Sequence, residues 1–441
     1  MPGRSNAYLC HTAPPPDLDH TLPLLQLIIS YADMKRLLIL GAGMAGTMMA
    51  NKLRKRLSST WSITVVDRDD MHVYQPGLLF LPFGIYRKED ILRSRSSFLG
   101  EGIEFVQAEV DTVDPGSKVV RLRDGSTLSY DLLVVATGCR TTPEATPGLV
   151  ETGWQESAFD FYTLEGSEKL GQALARWKGG RLVLNIADMP IKCPVAPMEF
   201  LFLADHFFHQ AGIRDQVELI FATPLDAAFT KPRAAQELGH LLEQKNIRVE
   251  TNFVVAKVDG EKKVLTDYEG RTLAYDLLVT VPVHAGSEWI ARSGMGDDSG
   301  FLPTHKHTLQ VEQYEGVFAL GDTTDLPTSK AGSVAHFQGD VLLDNIQRYL
   351  DGLELRPDFD GHANCFIETG YGKGLLIDFN YEVEPLPGKF PLPGVGPFSL
   401  LQETAINHWG KMGFKWLYWN LLLTGQDLPL GHALSMEGKS I

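Results

Sequence analysis

Cys193 stands in a turn where bare backbone would serve a nucleotide better. Arg181 to Ile186 (RLVLNI) reads as a buried strand and runs into Ala187-Asp188-Met189-Pro190-Ile191-Lys192-Cys193-Pro194, a stretch without glycine. An earlier strand-to-helix turn is built the opposite way, with Lys35 to Leu40 (KRLLIL) leading into Gly41-Ala42-Gly43-Met44-Ala45-Gly46. That spacing is the glycine fingerprint that lets backbone approach a pyrophosphate at a helix N-terminus. The chain therefore holds one dinucleotide turn and one turn in which a thiol replaces the glycines. A nicotinamide dinucleotide finds no seat at the second. Lys192 beside the thiol, and the positive end of a helix starting near Pro197, predict a depressed pKa for Cys193 and hence a redox-competent thiolate.

The elements that must hold these turns follow from periodicity. Ala45 to Leu57 reads as a helix and Trp61 to Val66 (WSITVV) as the next strand. Asp67, with Arg68 beside it, falls 21 residues after Gly46, where a carboxylate accepts the hydroxyls of an adenosine ribose. Val217 to Phe221 (VELIF) and Leu277 to Val281 (LLVTV) read as further buried strands. Ala222-Thr223-Pro224-Leu225 after VELIF offers neither an acid nor a base for a second ribose. Alternating strand and helix patterns of this kind build parallel sheets, so the fold class is α/β.

Composition narrows the function classes. The 44 % hydrophobic and 22 % charged balance is that of an ordinary globular chain. A formal net charge of -15 argues against nucleic-acid binding and against purely electrostatic attachment to anionic lipid. Cysteines at 10, 139, 193 and 365 show no C-x-x-C spacing, so neither a zinc site nor a stapling framework is expected. Residues 1–33 carry Pro14-Pro15-Pro16 and read as an unstructured extension, although Leu22 to Ile29 with Ser30-Tyr31-Ala32 loosely resembles a targeting signal. Met34, one residue before the first strand, stands where such chains commonly begin.

Two later segments sharpen the cofactor. Leu128 to Gly138 (LSYDLLVVATG) and Val317 to Asp322 (VFALGD) resemble the second and third motifs of two-dinucleotide-fold flavoprotein disulfide reductases. The resemblance implies FAD, with Ala136-Thr137-Gly138 closing over the nucleotide and Gly321-Asp322 meeting the ribityl chain. It also implies a discontinuous FAD-binding domain, residues 34–150 and 282–354, interrupted by a second Rossmann-like domain at 151–281. A C-terminal region, 355–441, follows.

With these residues together the chain resembles the sulfide:quinone oxidoreductases and the related flavoprotein subunit of flavocytochrome c sulfide dehydrogenase. The resemblance spans residues 34 to about 425. It rests further on His72-Val73-Tyr74-Gln75-Pro76-Gly77, on Lys192-Cys193-Pro194-Val195-Ala196-Pro197-Met198-Glu199-Phe200, on Pro327-Thr328-Ser329-Lys330-Ala331-Gly332 and on Cys365. It implies sulfide oxidation to zero-valent sulfur or polysulfide through a Cys193/Cys365 pair, with electrons passing by FAD to a membrane quinone. Gln75, Pro76 and Lys330 are implied at the flavin, Lys330 also as a charge that stabilises its reduced form, and Glu199 as a proton carrier whose alternative is a solvated helix-start acid. A third cysteine found in some members is missing from Ser157 to Tyr162, which places the chain in a two-cysteine subtype. Cys139 reads as structural. The alternatives are a type II NADH:quinone dehydrogenase, which should carry glycines at the second turn, and a cytochrome-linked sulfide dehydrogenase flavoprotein.

Ala405 to Leu423 (AINHWGKMGFKWLYWNLLL) is unlike the rest. At helical spacing Trp409, Met412, Trp416, Trp419 and Leu423 share one face, with Lys411 and Lys415 off it. Three tryptophans flanked by lysines suit a helix lying among lipid headgroups, so the fold is expected to end in a membrane-interfacial helical module. A stripe packed on the core or in a dimer seam is the other reading. No apolar run reaches the ~20 residues of a spanning helix. The protein is expected to be peripheral (monotopic), and a homo-oligomer is compatible with the sequence.

Overall fold

The computed structural model describes residues 34–428 and 431–440, so the expectations for residues 1–33, Cys10 included, fall outside the described residues. The described chain opens with β1 (Lys35–Leu40), α1 (Met44–Arg56), β2 (Trp61–Asp67), β3 (Ile103–Gln107), β4 (Leu132–Val135) and β5 (Cys139–Thr141). Next come β6 (Ala158–Phe159), β7 (Gly180–Ile186), α2 (Ala196–Gln210), β8 (Val217–Ala222), β9 (Ile247–Glu250), β10 (Leu277–Val281) and β11 (His284–Gly286). The last part holds β12 (Val317–Ala319), α3 (Gly332–Leu350), β13 (Ala363–Gly370), β14 (Lys373–Phe379), β15 (Gly388–Leu392), β16 (Gly396–Leu400) and α4 (Ala405–Leu417).

Two parallel sheets repeat one plan. The first has the order β12-β4-β1-β2-β3 and the second β6-β10-β7-β8-β9, with every pairing parallel. In each, a three-stranded antiparallel meander, at 110–129 and 255–274, precedes the strand that returns to the sheet beside its middle strand. The central strands are buried along their apolar runs, Leu37 to Leu40 in β1 and all of β10, because helices or other layers cover both faces. β12 pairs with β4 although the whole second sheet lies between them in the chain. β5 and β11 form an antiparallel link between the two units.

The glycine turn is dictated by crowding. Gly41 has φ +98° and a Cβ there would meet the Ala136 carbonyl, while a Cβ on Gly46 would collide with the Gly41 carbonyl. Gly43 faces open space instead. The first and third glycines thus pull strand and helix together, and the second leaves the helix N-terminus uncovered.

The C-terminal region is more than a helical module. It contains a four-stranded sheet, β13-β14-β16-β15, against which α4 packs. α2 lies on β13, so that strand is held between the helix that follows Cys193 and the helix at the chain's far end. The expected single helix from Ala405 to Leu423 ends at Leu417 and continues as a wider turn, Tyr418–Leu422. The proposed stripe divides, within α4 as well as beyond it. Trp409 and Trp416 are 70 % and 63 % exposed, joined by Ile406, whereas Met412 packs against the core, Leu423 is buried and Trp419 stacks on Phe98 at 5.3 Å.

Candidate active site

The three flavin motifs converge. Ala136 lies over Gly41, the Thr137 and Thr323 hydroxyls are 3.3 Å apart, and Gly321, at φ +73°, faces Ala45 across the start of α1. Gly138 turns the chain away from β4 at φ +66°. Asp67 accepts from the Ala42 amide at 2.7 Å through Oδ2 and from the Arg68 amide at 2.8 Å through Oδ1. The Arg68 side chain itself is exposed and pairs with Asp69. Arg95, which the sequence gave no reason to choose, braces this corner by donating to the Ala42 carbonyl at 2.9 Å and pairing with Asp67 and Asp69.

These residues fit FAD. The Asp322 carboxylate receives no hydrogen bond among the described residues, and burial raises its pKa, so it is a desolvated acceptor that ribityl hydroxyls would satisfy. Met44, Ala45 and Gly46 begin a helix whose first amides have no intrahelical partners, and the open side of Gly43 exposes them to a pyrophosphate. Gln75 and Pro76 lie on a short turn after β2, where exposed Gln75 accepts from Lys192 Nζ at 3.2 Å. Lys330 is buried, donates to the Asp322 and Thr324 carbonyls at 3.1 and 2.6 Å, and sits 4.0 Å over the Phe301 ring.

Lys330 also holds the thiol turn. Its carbonyl accepts from the Cys193 amide at 2.7 Å, and the Cys193 carbonyl accepts from Ala196 at 2.8 Å. Between these bonds Cys193 adopts φ +47°, a left-handed conformation that costs a non-glycine residue ~1–2 kcal/mol. Such strain persists only where its surroundings enforce it.

The expected depression of the Cys193 pKa is corrected. Burial pushes the thiol up to about 12, Glu199 adds to the rise, and Lys411 opposes it. Lys192 turns towards Gln75, and a helix N-terminus contributes only ~0.3–1 kcal/mol, less than one pKa unit. Burial also raises Cys365, and Cys139 to about 12. Cys139 lies in β5 opposite Gly286. All three are free thiols, Cys193 half-buried and Cys365 buried.

One cation brings the two thiol segments together. Lys411 on α4 donates to Glu199 Oε1 at 2.7 Å and to the carbonyl of Phe366, next to Cys365, at 2.9 Å. Glu199 is fully buried, so the solvated alternative is excluded. Its Oε1 also accepts from the Glu368 amide at 2.7 Å, and Oε2 has no partner among the described residues. Periodicity assigned Lys411 to headgroups, yet two residues on a helix lie ~200° apart, so an outward Trp409 already implied an inward Lys411. Lys415 sits 4.0 Å over the Tyr86 ring rather than extending into solvent.

Two measurements follow from this geometry. Lys411→Met should destabilise the protein by ~3–5 kcal/mol in denaturant unfolding, because Glu199 is left buried and unpaired, and adding Glu199→Leu should recover most of the loss. Alkylation of reduced Cys193 should be slow at pH 7 and climb about tenfold per unit through pH 9 without a plateau. The fold favours the neutral thiol, so its stabilising contribution is complete below the ordinary thiol pKa and lost as pH rises through about 12.

Residues 35–184 match the pyridine nucleotide-disulphide oxidoreductase family. Mitochondrial sulfide:quinone oxidoreductases are similar over most of their length: the mouse protein is 27 % identical, covering 88 % of this chain and 86 % of its own. The Dictyostelium discoideum protein is 28 % identical, with 89 % and 87 % covered. The crystal structure of the sulfide:quinone oxidoreductase from Aquifex aeolicus shares the fold at a TM-score of 0.74 and 19 % identity, over 89 % of this chain and 92 % of that one. A strand-bound glycine turn, an Asp322 carboxylate with no hydrogen bond among the described residues and these likenesses together make the chain an FAD-dependent oxidoreductase of the two-dinucleotide fold, similar in sequence to the sulfide:quinone oxidoreductases.

Proposed function

We propose that this chain oxidises sulfide and reduces a membrane quinone, with Cys193 and Cys365 as its redox pair. The observation that carries the reading is the Lys411 ammonium, bonded at once to the residue that follows Cys365 and to the carboxylate six residues after Cys193. Residues 34–150 and 282–354 act as the FAD-binding unit, 151–281 as the unit that presents Cys193, and 355–441 as the unit that presents Cys365.

Bound FAD supplies a two-electron acceptor for sulfur and a two-electron donor for quinone. It would be held by the glycine turn, Asp67, Ala136 to Gly138, Gly321 and Asp322, with Gln75, Pro76 and Lys330 towards its ring. In the oxidised pair, hydrosulfide attacks one sulfur of a Cys193–Cys365 bridge; one S–S bond breaks, another forms, and the products are a persulfide and a thiolate. Lys411 stabilises that thiolate where burial otherwise disfavours it. The unpartnered Oε2 of Glu199 receives the persulfide proton. Sulfur leaves at the zero-valent level, as such or within a growing polysulfide. Per hydrosulfide, the quinone takes two electrons and two protons, one of them from solvent.

The quinone must come from lipid, and no helix among the described residues is long and apolar enough to cross a membrane. Ile406, Trp409 and Trp416, at i, i+3 and i+10 on α4, provide an interfacial anchor, so the protein docks peripherally. The type II NADH dehydrogenase reading requires glycine where Cys193 is pinned by Lys330.

Anaerobic sulfide should bleach the bound flavin while NADH leaves it oxidised; rapid bleaching by NADH would sink the sulfide reading. Cys193→Ala and Cys365→Ala should keep FAD yet each lose sulfide-dependent quinone reduction by at least ~100-fold, and full turnover in either would remove that thiol from the pair. Trp409→Ser with Trp416→Ser should release the protein from liposomes that high salt does not strip. Cutting the chain before Ala405 is a poorer test, since it also removes Lys411 and Tyr418 from the core.

A further inference from the structure

The two-residue turn between β13 and β14 carries a side chain that such turns disfavour. Tyr371 and Gly372 both take positive φ, +54° and +70°, in a hairpin connection whose first position prefers Asn, Asp or Gly. A tyrosine there is strained, and strain of this kind persists only where contacts enforce it. Those contacts come from α2 and its surroundings. The Tyr371 hydroxyl donates to Asp205 Oδ2 at 2.9 Å, the ring lies 4.4 Å from His206, and Lys245 Nζ stands 4.6 Å over it. Asp205 is buried, and its other oxygen accepts from Arg214 at 2.6 Å. Gly370, at φ +75°, comes so near the helix that a Cβ would crowd the Phe202 carbonyl oxygen. The tip of the hairpin is thus fastened to the far half of α2.

This tie is the second of two along the same strand. The Glu368 amide meets Glu199 and, further on in both elements, Tyr371 meets Asp205, so β13 and α2 run in the same direction. From Glu199 to Asp205 is six residues of helix, about 9 Å, and from Glu368 to Tyr371 is three residues of strand, about 10 Å at full extension. Helix and strand therefore keep step. Six residues before Glu199 stands Cys193, in the turn that feeds α2, and three before Glu368 stands Cys365. Burial pushes the Cys365 thiol up and Cys193, as a near neighbour, adds to the rise. A slip of β13 by one residue would carry Cys365 about 3.4 Å, farther than the ~2 Å of a disulfide bond.

We infer that Tyr371 is a positioning residue, which ties the β13–β14 turn to Asp205, sets the register of β13 on α2 and so holds Cys365 opposite Cys193. Its purpose rests on the reading of the two thiols as the redox pair. The bonds of Glu199 and Lys411 hold the middle of the strand, where a single point leaves it free to pivot, and the Tyr371 tie removes that freedom. Tyr371 lies six residues beyond Cys365 and acts through the strand.

The test uses the flavin-loaded protein and its Tyr371→Phe and Tyr371→Asn variants, equilibrated in glutathione buffers without air, with the Cys193–Cys365 bridge counted by peptide mapping. Closing the bridge takes two electrons and two protons from the thiols and turns one oxidised glutathione into two reduced molecules. Tyr371→Phe removes only the hydroxyl, whereas Tyr371→Asn removes every contact with α2 and supplies a residue the turn prefers. Both should keep bound flavin, and Tyr371→Asn should also keep the unfolding midpoint of the wild type. The equilibrium constant for the bridge should nonetheless fall about tenfold in Tyr371→Phe and further in Tyr371→Asn. An unchanged constant in both overturns the inference, and so does a fall confined to a variant that has lost stability, the mark of a merely structural tyrosine. Sulfide-dependent quinone reduction by the same preparations separates this inference from the functional one. A bridge that needs Tyr371 in a protein that leaves sulfide untouched counts against the function alone, and a bridge indifferent to Tyr371 in a protein that oxidises sulfide counts against the tyrosine alone.

Discussion

The buried ion pair between Lys411 and Glu199 is the contact on which the site depends. Its members are 212 residues apart in the chain and come from helices in different units. Removing two charges from water is costly, and the pair is held only because the Phe366 carbonyl and the Glu368 amide satisfy further bonds. Those same bonds fix β13 against α2 and α4. The requirement to compensate one buried carboxylate thus sets how the Cys365 strand approaches the Cys193 turn. An apolar pair would fill the space, but it would bond neither the Phe366 carbonyl nor the Glu368 amide.

Lys330 applies the same economy on the other side. Its ammonium is anchored on carbonyls of the acid-bearing turn and its own carbonyl anchors the Cys193 amide. A displacement of the flavin motif would be felt at the thiol through one residue. The repeated sheet plan puts the two turns in equivalent places, because the middle strand of each sheet, β1 or β7, runs directly into one of them. One turn carries the glycines; the other carries the thiol.

Much of the architecture was legible because parallel strands covered on both faces read as continuous apolar runs. β1 and β10 match their predicted limits, and the others differ by one or two residues. The flavin motifs were legible because close approach of backbone admits only glycine at Gly41 and Gly46. Three things were hidden. The thiol pKa depends on what surrounds Cys193 in space, and Lys192, its sequence neighbour, points elsewhere. The sheet around Cys365 mixes parallel and antiparallel pairing, and β14 is buried at consecutive residues from Gly374 to Phe379, so it shows no alternation. Lys411 was misassigned because a helix with exposed tryptophans on one face and a buried carboxylate against the other satisfies the amphipathic pattern while reversing the meaning of its charge.

The left-handed backbone at Cys193 has an evolutionary corollary. A glycine would occupy that φ without penalty, and glycine and cysteine codons differ by a single base. Glycine at 193 would relieve the strain, yet the rest of the 187–194 turn also lacks glycine and Ala222 to Leu225 offers no ribose-binding acid, so more than one residue separates this turn from a nucleotide-accepting loop.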